Sequence, residues 1–339
     1  MPVGCATSVR YAFEVASIVV IGAGAVGSYY GALLARAGHE VRFVMRRDLE
    51  AVRRSGLHIE SPKGGFHLPN VSVFATPHEA GIADWVICSL KATAIGDAAA
   101  LIRPCVGPTT RIVALMNGLG VEKVLAQEFE PRRIFGAMAF VCINRGEPGR
   151  VRHLDYGRVT LGHFRDEPSE AASLKELFDT AGIENTIAPN LRYARWEKLC
   201  WNVPFNGLSV AAGGVGTQKI LRDAGLRAVA DAAMREVVAT GNADLENAGS
   251  SARLDEADIL QRMFAQTDTM GDYRTSMVID FVMGRPLEVE AILGETHRRA
   301  DELNISAPTI RTLYALVRIA DLQRRGVMAP LSVGDIEAE

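Results

Sequence analysis

The sequence predicts an α/β domain over residues 17–190 and an all-α domain over residues 191–330, with a cleft between them. Three observations predict this arrangement. The first part alternates short apolar runs, which are typical of parallel strands, with helical patterns. From Leu191 onward almost every segment instead places apolar residues at the helical period. A chain of 339 residues is also long enough for about two domains.

The α/β domain begins with a strand that ends in a glycine-rich motif. Residues 17–21 are an apolar, mostly β-branched run, and a helical pattern begins at Ser28. Between them lies a Gly-x-Gly-x-x-Gly motif that consists of Gly22, Ala23, Gly24, Ala25, Val26 and Gly27. In this position the first glycine permits a tight turn, the second admits a pyrophosphate, and the third lets helix and strand pack closely. The motif therefore predicts a Rossmann-type dinucleotide-binding domain.

The next predicted strand, residues 39–45, closes a βαβ unit and ends at Arg46-Arg47. An acidic residue at this place holds the ribose hydroxyl of NAD, whereas an arginine suits the additional phosphate of NADP. A guanidinium can bind two phosphate oxygens at once. A solvated arginine pair is the alternative interpretation, and the acidic Asp48 follows directly. Arg46 nevertheless favours NADP(H) as the cofactor.

Two further polar residues stand at predicted strand ends. More β structure is expected at residues 84–91, 111–116, 134–143 and 151–162, the last as short segments, and as a hairpin over residues 57–68. Ligands in open α/β sheets bind outside the carboxyl ends of the strands. Lys91 and Asn117 both follow apolar runs, so we expect them on the same rim as the glycine motif. A solvated lysine and an Asn-Gly turn are the ordinary alternatives.

Composition excludes several classes of protein. A hydrophobic fraction of 48% with 23% charged residues is ordinary for a globular protein, and a net charge of −3 argues against a nucleic-acid-binding surface. The sequence contains no run of about 18 apolar residues, which argues against a membrane span. The five irregularly spaced cysteines indicate reduced thiols in the cytoplasm and form no metal-site pattern. Residues 1–16 lack a signal-peptide core and are expected to be an extension that need not be ordered.

The first long helix of the all-α domain carries a polar strip. Lys198, Asn202 and Asn206 recur every four residues, so they share one face of an otherwise apolar helix. Solvated strips of this kind are common on protein surfaces. Asparagine is, however, a poor former of helix interiors, and Pro204 should kink the helix at this point. The strip is therefore a candidate catalytic site.

A second set of polar side chains lies among apolar residues later in the same domain. It consists of Ser276, Asp280, Arg285, Glu288 and Glu290. Considered alone, this segment could be a salt-bridged loop between helices.

Taken together, these motifs resemble the ketopantoate reductases (2-dehydropantoate 2-reductases) from about residue 17 to the C-terminal region. The resemblance rests on Gly-Ala-Gly-Ala-Val-Gly at 22–27, Arg46, Ser-Leu-Lys-Ala at 89–92, Asn-Gly-Leu-Gly at 117–120, Trp-Glu-Lys-Leu at 196–199 with Asn202 and Asn206, and Thr-Ser-Met-x-x-Asp with Gly-Arg-x-x-Glu at 275–288. These motifs in this order are specific to the family.

The resemblance implies an NADPH-dependent reduction of 2-dehydropantoate to pantoate, in pantothenate and coenzyme A biosynthesis. It implies that residues 22–27, Arg46 and Lys91 hold NADPH, and that Asn117 touches both cofactor and substrate. It also implies that the backbone around Cys142 lies along the nicotinamide.

The same resemblance assigns roles to residues of the all-α domain. Lys198 is implied to be the general acid, and Glu288 to order the cofactor and the active site. The carboxylate and hydroxyl of the substrate are implied to bind Asn202, Asn206 and Ser276.

Three positions depart from the family's pattern: Ile279, Leu287 and Gly216. They leave open a different branched or bulkier 2-oxo acid as the substrate. A regulator that senses NADP(H) without turnover and a 3-hydroxy acid dehydrogenase are further alternatives. The set of Lys198, Asn202 and Glu288 argues against a sensor, which would not need it. The apolar faces of the all-α domain could also form a homodimer.

Overall fold

Ten strands and thirteen α-helices are found in the computed structural model, which describes residues 14–329. The strands are β1 (Ser17–Ile21), β2 (Glu40–Val44), β3 (Leu57–Glu60), β4 (Phe66–Leu68), β5 (Ser72–Phe74), β6 (Ala83–Cys88), β7 (Val106–Ala114), β8 (Ile134–Arg145), β9 (Arg150–His163) and β10 (Asn185–Ile187). The helices among them are α1 (Ala25–Ala37), α2 (Leu49–Ser55), α3 (Pro77–Ala80), α4 (Ile95–Ile102), α5 (Val121–Glu128) and α6 (Pro168–Thr180). Most of the expected extension at residues 1–16 lies outside the described residues.

The rest of the described chain is helical. Its helices are α7 (Leu191–Ala211), α8 (Thr217–Arg222), α9 (Ala224–Asn247), α10 (Glu256–Thr269), α11 (Ser276–Val282), α12 (Glu295–Glu302) and α13 (Pro308–Arg324), with a π-helical turn at Glu290–Gly294 directly before α12. None of the described helices is long and apolar enough to cross a membrane. The predicted order of an α/β part followed by an all-α part is confirmed.

The described strands form one mixed sheet in the order β4-β3-β9-β8-β7-β6-β1-β2-β5, and β10 lies beside β9. All neighbours from β8 to β5 are parallel, whereas β8–β9 and β3–β4 are antiparallel. In β1, Ile18, Val19 and Val20 have no exposed surface. A parallel strand buried on both faces requires such a continuous apolar run.

Four central strands end at the same level. Ile21 of β1 pairs with Val44 of β2 and with Cys88 of β6, and Cys88 pairs with Ala114 of β7. Each of these residues is the last of its strand. The loops after β1, β2, β6 and β7 therefore leave the sheet at one rim, which we call the strand-end rim.

Helix α7 lies at the centre of the all-α part. Asn190 caps its N-terminus by accepting a hydrogen bond of 2.8 Å from the backbone of Tyr193. Every residue from Leu199 to Val210 is buried, so other helices surround this part of α7. The helix continues through Pro204.

Three predictions of β structure were inaccurate. The strand expected to reach Lys91 ends at Cys88, and the strand expected at residues 111–116 runs from Val106 to Ala114. Residues 151–162 belong to one long strand, β9, in place of several short segments. Gly157, at φ 115°, lies in a β-bulge of this strand, which explains why the sequence there suggests a break.

Candidate active site

The glycine motif turns tightly at the end of β1. Gly22 has a φ of 86°, and a Cβ atom there would lie 2.7 Å from the backbone nitrogen of Leu90. A Cβ at Gly27 would overlap the hydroxyl of Ser89, which donates a hydrogen bond of 2.9 Å to the carbonyl of Gly22. A side chain at either position would collide with its surroundings, because the motif and the residues directly after β6 approach each other so closely.

The start of α1 offers free backbone donors at the strand-end rim. Gly24 precedes the helix without a side-chain cap, and its own Cβ would meet just one atom within 4 Å, the Gly22 carbonyl oxygen at 3.8 Å. The N–H groups of a first helical turn have no partners within the helix and favour anions. The residues of the motif therefore fit the pyrophosphate of a dinucleotide.

Arg46 follows β2 at the same rim and is exposed. Within the described residues it forms no ion pair, whereas Arg145 lies 3.0 Å and Arg47 3.8 Å from Asp48. The carboxylate of Asp48 is thus already paired and does not oppose an anion at Arg46. This arrangement fits a phosphate on the adenosine ribose.

Lys91 lies three residues beyond the end of β6 and reaches the all-α part. Its ammonium forms an ion pair with Asp280 of α11, and Arg285 lies 3.6 Å from the same carboxylate. Asp280 is buried, with a side chain 7% exposed. The described structure thus uses Lys91 as a link between the two parts of the chain.

The two asparagines of the predicted polar strip of α7 are buried, and Lys198 is partly buried. Asn202 is 6% exposed and Asn206 1% exposed, so a solvated strip is excluded. Asn206 accepts a hydrogen bond of 3.2 Å from the backbone of Met277, while the amide of Asn202 has no hydrogen-bond partner within the described residues. Lys198, on the same face, donates a hydrogen bond to the carbonyl of Ala139 in β8. Amides kept in the interior with unused donors are suited to bind a polar ligand.

Glu288 connects the strand-end rim to the all-α part. One carboxylate oxygen accepts a hydrogen bond of 2.8 Å from the backbone of Ala92, and the other accepts one of 3.1 Å from the side chain of Asn117. The π-helical turn that follows Glu288 packs on the same loop, because Leu119 donates a hydrogen bond of 3.1 Å to the carbonyl of Ala291. Asn117 is thereby held in place.

The environment of Lys198 makes it a weak base. Burial of the ammonium lowers its pKa to about 7, and the positive charge of Arg195 acts in the same direction. The negative charge of Glu288 opposes this shift. A lysine with such a pKa can donate a proton at neutral pH far more readily than an exposed one.

Two other predicted residues belong to elements that bind this strip, β8 through Ala139 and α11 through Met277. Cys142 of β8 is 5% exposed, and burial raises the pKa of its thiol to about 11, so it is not a nucleophile. Ser276 begins α11 and is exposed, and its neighbour Met277 binds Asn206.

The structure shows what surrounds each of the three residues that depart from the family's pattern. A Cβ at Gly216 would overlap the carboxylate of Asp272, so the site has no room for a longer residue unless Asp272 moves. Leu287 is 4% exposed, and its backbone donates a hydrogen bond of 3.0 Å to Asp321. Ile279 is partly buried.

Arg195 and Glu122 belong to this region and were not singled out from the sequence. The spacing of three residues between Arg195 and Lys198 is the one sequence signal that places Arg195 near the site. Charged residues are seldom buried, so sequence patterns alone give little reason to place such a pair in the interior.

Comparison with known proteins identifies the family. The model described as "Ketopantoate reductase PanE/ApbA" matches residues 18–166, and the model described as "Ketopantoate reductase PanE/ApbA C terminal" matches residues 190–321. A 2-dehydropantoate 2-reductase of Nostoc sp. is 36% identical over 312 residues, covering 90% of this chain and 95% of that protein.

Solved structures support the same family. The crystal structure of 2-dehydropantoate 2-reductase from Geobacter metallireducens is 40% identical with a TM-score of 0.86, covering 90% of this chain and 99% of that one. A D-mandelate dehydrogenase with NADH and anilino(oxo)acetate has a TM-score of 0.82 over 91% of this chain and 99% of its own; at 21% identity it shows only the shared fold. This chain therefore belongs to the ketopantoate reductase PanE/ApbA family of oxidoreductases.

Proposed function

We propose that this protein reduces 2-dehydropantoate to pantoate with NADPH, a step of pantothenate biosynthesis. The observation that carries the proposal is the arrangement around Glu288, which binds Asn117 at the strand-end rim and faces the charge of Lys198. The rim would hold a dinucleotide, and Lys198 would be the proton donor beside it. The names of the relatives, 2-dehydropantoate 2-reductase, support the choice of substrate.

The cofactor would bind along the strand-end rim. The backbone donors of residues 22–27 fit its pyrophosphate, and Arg46 fits the phosphate that distinguishes NADPH from NADH. When bound, NADPH supplies the hydride for the carbonyl carbon of the substrate. Glu288 keeps Asn117 oriented toward this space by using one of the two amide donors of its side chain.

Lys198 would act as the general acid. Hydride addition to a 2-oxo acid places negative charge on the carbonyl oxygen, and a nearby ammonium stabilises that charge before it donates the proton. A pKa of about 7 leaves a large protonated fraction at neutral pH and makes the proton easy to transfer. Glu288 supports this role because its charge favours the protonated form.

Asn202, Asn206 and Ser276 would position the substrate. The buried amide of Asn202 and the Nδ2 group of Asn206 have no hydrogen-bond partners within the described residues, so they are available to a carboxylate or a hydroxyl. Ser276 lies at the start of α11, next to the residue that Asn206 binds. Fixing the substrate in this way lowers the entropic part of the activation barrier.

The test is NADPH oxidation by the purified protein with 2-dehydropantoate, beside a panel of other 2-oxo acids and with NADH as the control cofactor. We expect turnover with 2-dehydropantoate and NADPH that exceeds every other pair. Lys198→Ala should lose turnover while it retains most of its affinity for NADPH. Tight NADPH binding without turnover on any acid would contradict the proposal and indicate a sensor.

One observation favours a second candidate, the reduction of another 2-oxo acid. Gly216, which departs from the family's pattern, lies against the carboxylate of Asp272, and Leu287 also departs from the pattern. The same panel decides between the two, because higher kcat/KM for a different acid would keep the mechanism and change the substrate.

A further inference from the structure

A buried ion pair joins α7 to the loop that carries Asn117. The side chains of Arg195 and Glu122 are 4% and 5% exposed. The Nε group of Arg195 donates a hydrogen bond of 3.0 Å to Glu122 Oε1, and its Nη2 group binds the same oxygen. Arg195 lies one helical turn before Lys198, and Glu122 lies in the first turn of α5, directly after the Asn117 loop.

The same guanidinium also binds the end of β7. Its Nη2 group donates a hydrogen bond of 3.2 Å to the carbonyl of Ala114, the last residue of that strand, and its Nη1 group binds the carbonyl of Met116. Arg195 thus holds the chain both before and after Asn117. A single side chain of the all-α part fixes the whole strand end.

The neighbouring strand leaves room for this pair. Gly136 of β8 lies where a Cβ would overlap Glu122 Oε1 and would lie 2.6 Å from the side chain of Leu191, the first residue of α7. Any larger residue at position 136 would displace the carboxylate or the start of the helix. The pair is therefore packed from three sides, by β7, β8 and α7.

We propose that Arg195, held by Glu122, is a positioning residue that fixes α7 against the end of β7, so that Lys198 and Asn117 meet the same substrate. The inference rests on the proposed function, because Lys198 and Asn117 matter to the reaction only if that function holds. Displacements of about 1 Å between reacting groups lower rates up to about 100-fold. A fixed distance between the two elements is thus a requirement of the chemistry.

The charge of Arg195 has a separate effect. It lowers the pKa of Lys198, second to burial and against Glu288, and the neutral carbonyl of Ala139 is the hydrogen-bond partner of the ammonium. A lysine at position 195 keeps the charge but cannot make the forked hydrogen bonds, whereas a methionine keeps neither. Comparing the two substitutions therefore separates the positioning role of Arg195 from the effect of its charge on Lys198.

The experiment compares Arg195→Lys, Arg195→Met and Glu122→Gln with the control Arg192→Met. Arg192 lies on the same helix, but its partner Asp244, at 3.0 Å, belongs to the all-α part. The readouts are kcat, KM, the pH profile of kcat/KM, and the Kd for NADPH from its fluorescence. The pKa of Lys198 is also followed by NMR after reductive methylation, independently of turnover.

We expect Arg195→Lys to lower kcat about 10- to 100-fold with the Kd for NADPH little changed and the alkaline limb of the pH profile in place. Arg195→Met should lower kcat similarly and move the alkaline limb upward by about half a pH unit or more, because a positive charge near Lys198 is lost. Glu122→Gln should move the alkaline limb to lower pH, and Arg192→Met should resemble the wild type.

Wild-type kcat in both Arg195→Lys and Glu122→Gln would overturn the positioning role. An alkaline limb and an NMR pKa of Lys198 that do not respond to Arg195→Met would overturn only the separate effect of the charge of Arg195. If Arg195→Met does not fold, Arg195→Lys and Glu122→Gln still decide. Lys198→Ala is measured in parallel. If it turns over like the wild type, the proposed function fails; if it is inactive while the Arg195 variants are normal, only the positioning role fails.

Discussion

Replacing Lys198 by methionine should abolish catalysis and at the same time stabilise the fold. Burial lowers the pKa of Lys198 from 10.5 to about 7, so the folded protein disfavours the charged lysine. At about 1.4 kcal/mol per pKa unit, this difference amounts to about 5 kcal/mol of folding free energy below pH 7. Methionine has a similar length and no charge to bury. The substitution also removes the hydrogen bond to Ala139, and this loss reduces the gain in stability by about 1 kcal/mol.

The effect has a defined pH dependence. Between about pH 7 and 10.5 the unfolded chain binds a proton that folded wild-type protein does not, so the stability of the wild type rises with pH in this window. Below pH 7 both states are protonated and the full penalty remains. The advantage of Lys198→Met should therefore be about 4 kcal/mol near pH 6 and should shrink steadily above pH 7.

Urea unfolding followed by tryptophan fluorescence at about pH 6 and about pH 9 measures this difference. Lys219→Met, which removes an exposed lysine of α8, is the matched control and should change stability little. Turnover of Lys198→Met should fall about 100- to 10,000-fold with NADPH affinity retained. A variant less stable than the wild type near pH 6, or a gain independent of pH, would refute the account of Lys198 as a desolvated ammonium.

Three further predictions follow from the same geometry. The kcat/KM for reduction should fall about tenfold per pH unit above about pH 7, as Lys198 loses its proton, while the reverse oxidation rises through the same pH; parallel profiles would contradict this. Arg46→Ala should lower the ratio of NADPH to NADH kcat/KM by at least about tenfold, measured with both cofactors, and an unchanged ratio would remove Arg46 from the cofactor site. Gly27→Ala should cost about 1 to 3 kcal/mol in urea unfolding because its Cβ overlaps the hydroxyl of Ser89, and Ser89→Ala in the same chain should restore part of that loss.

The sequence was most informative where function depends on local backbone. The tight turn at Gly22 and the close approach at Gly27 leave a short pattern that only glycine satisfies. The buried run of β1 likewise has a period and a length that can be recognised without the fold. The strand limits in β9 were less accurate, because a bulge lies within its continuous pairing with β8. The end of β6 at Cys88 was also misplaced, since the sequence there continues to Leu90 and Lys91 without a turn signal.

The partners of charged side chains were not predictable. Lys91 was expected to hold the cofactor, and its ion pair with Asp280 spans 189 residues of sequence. Glu122 and Arg195 are separated by 73 residues, and each looks like an ordinary surface residue of an amphipathic helix. Such pairings depend on how the two parts of the chain dock, and no local pattern encodes that.

The π-helical turn at Glu290–Gly294 constrains the length of the chain as well as its composition. A π-helical turn holds one more residue than the α-helical turn in its place, so it is equivalent to a one-residue insertion. Deleting a residue there would rotate everything before it by about 100° about the helix axis. Glu288, two positions upstream, would then turn away from Asn117 and Ala92. The number of residues between Glu288 and α12 therefore matters to the candidate active site as much as the carboxylate itself does.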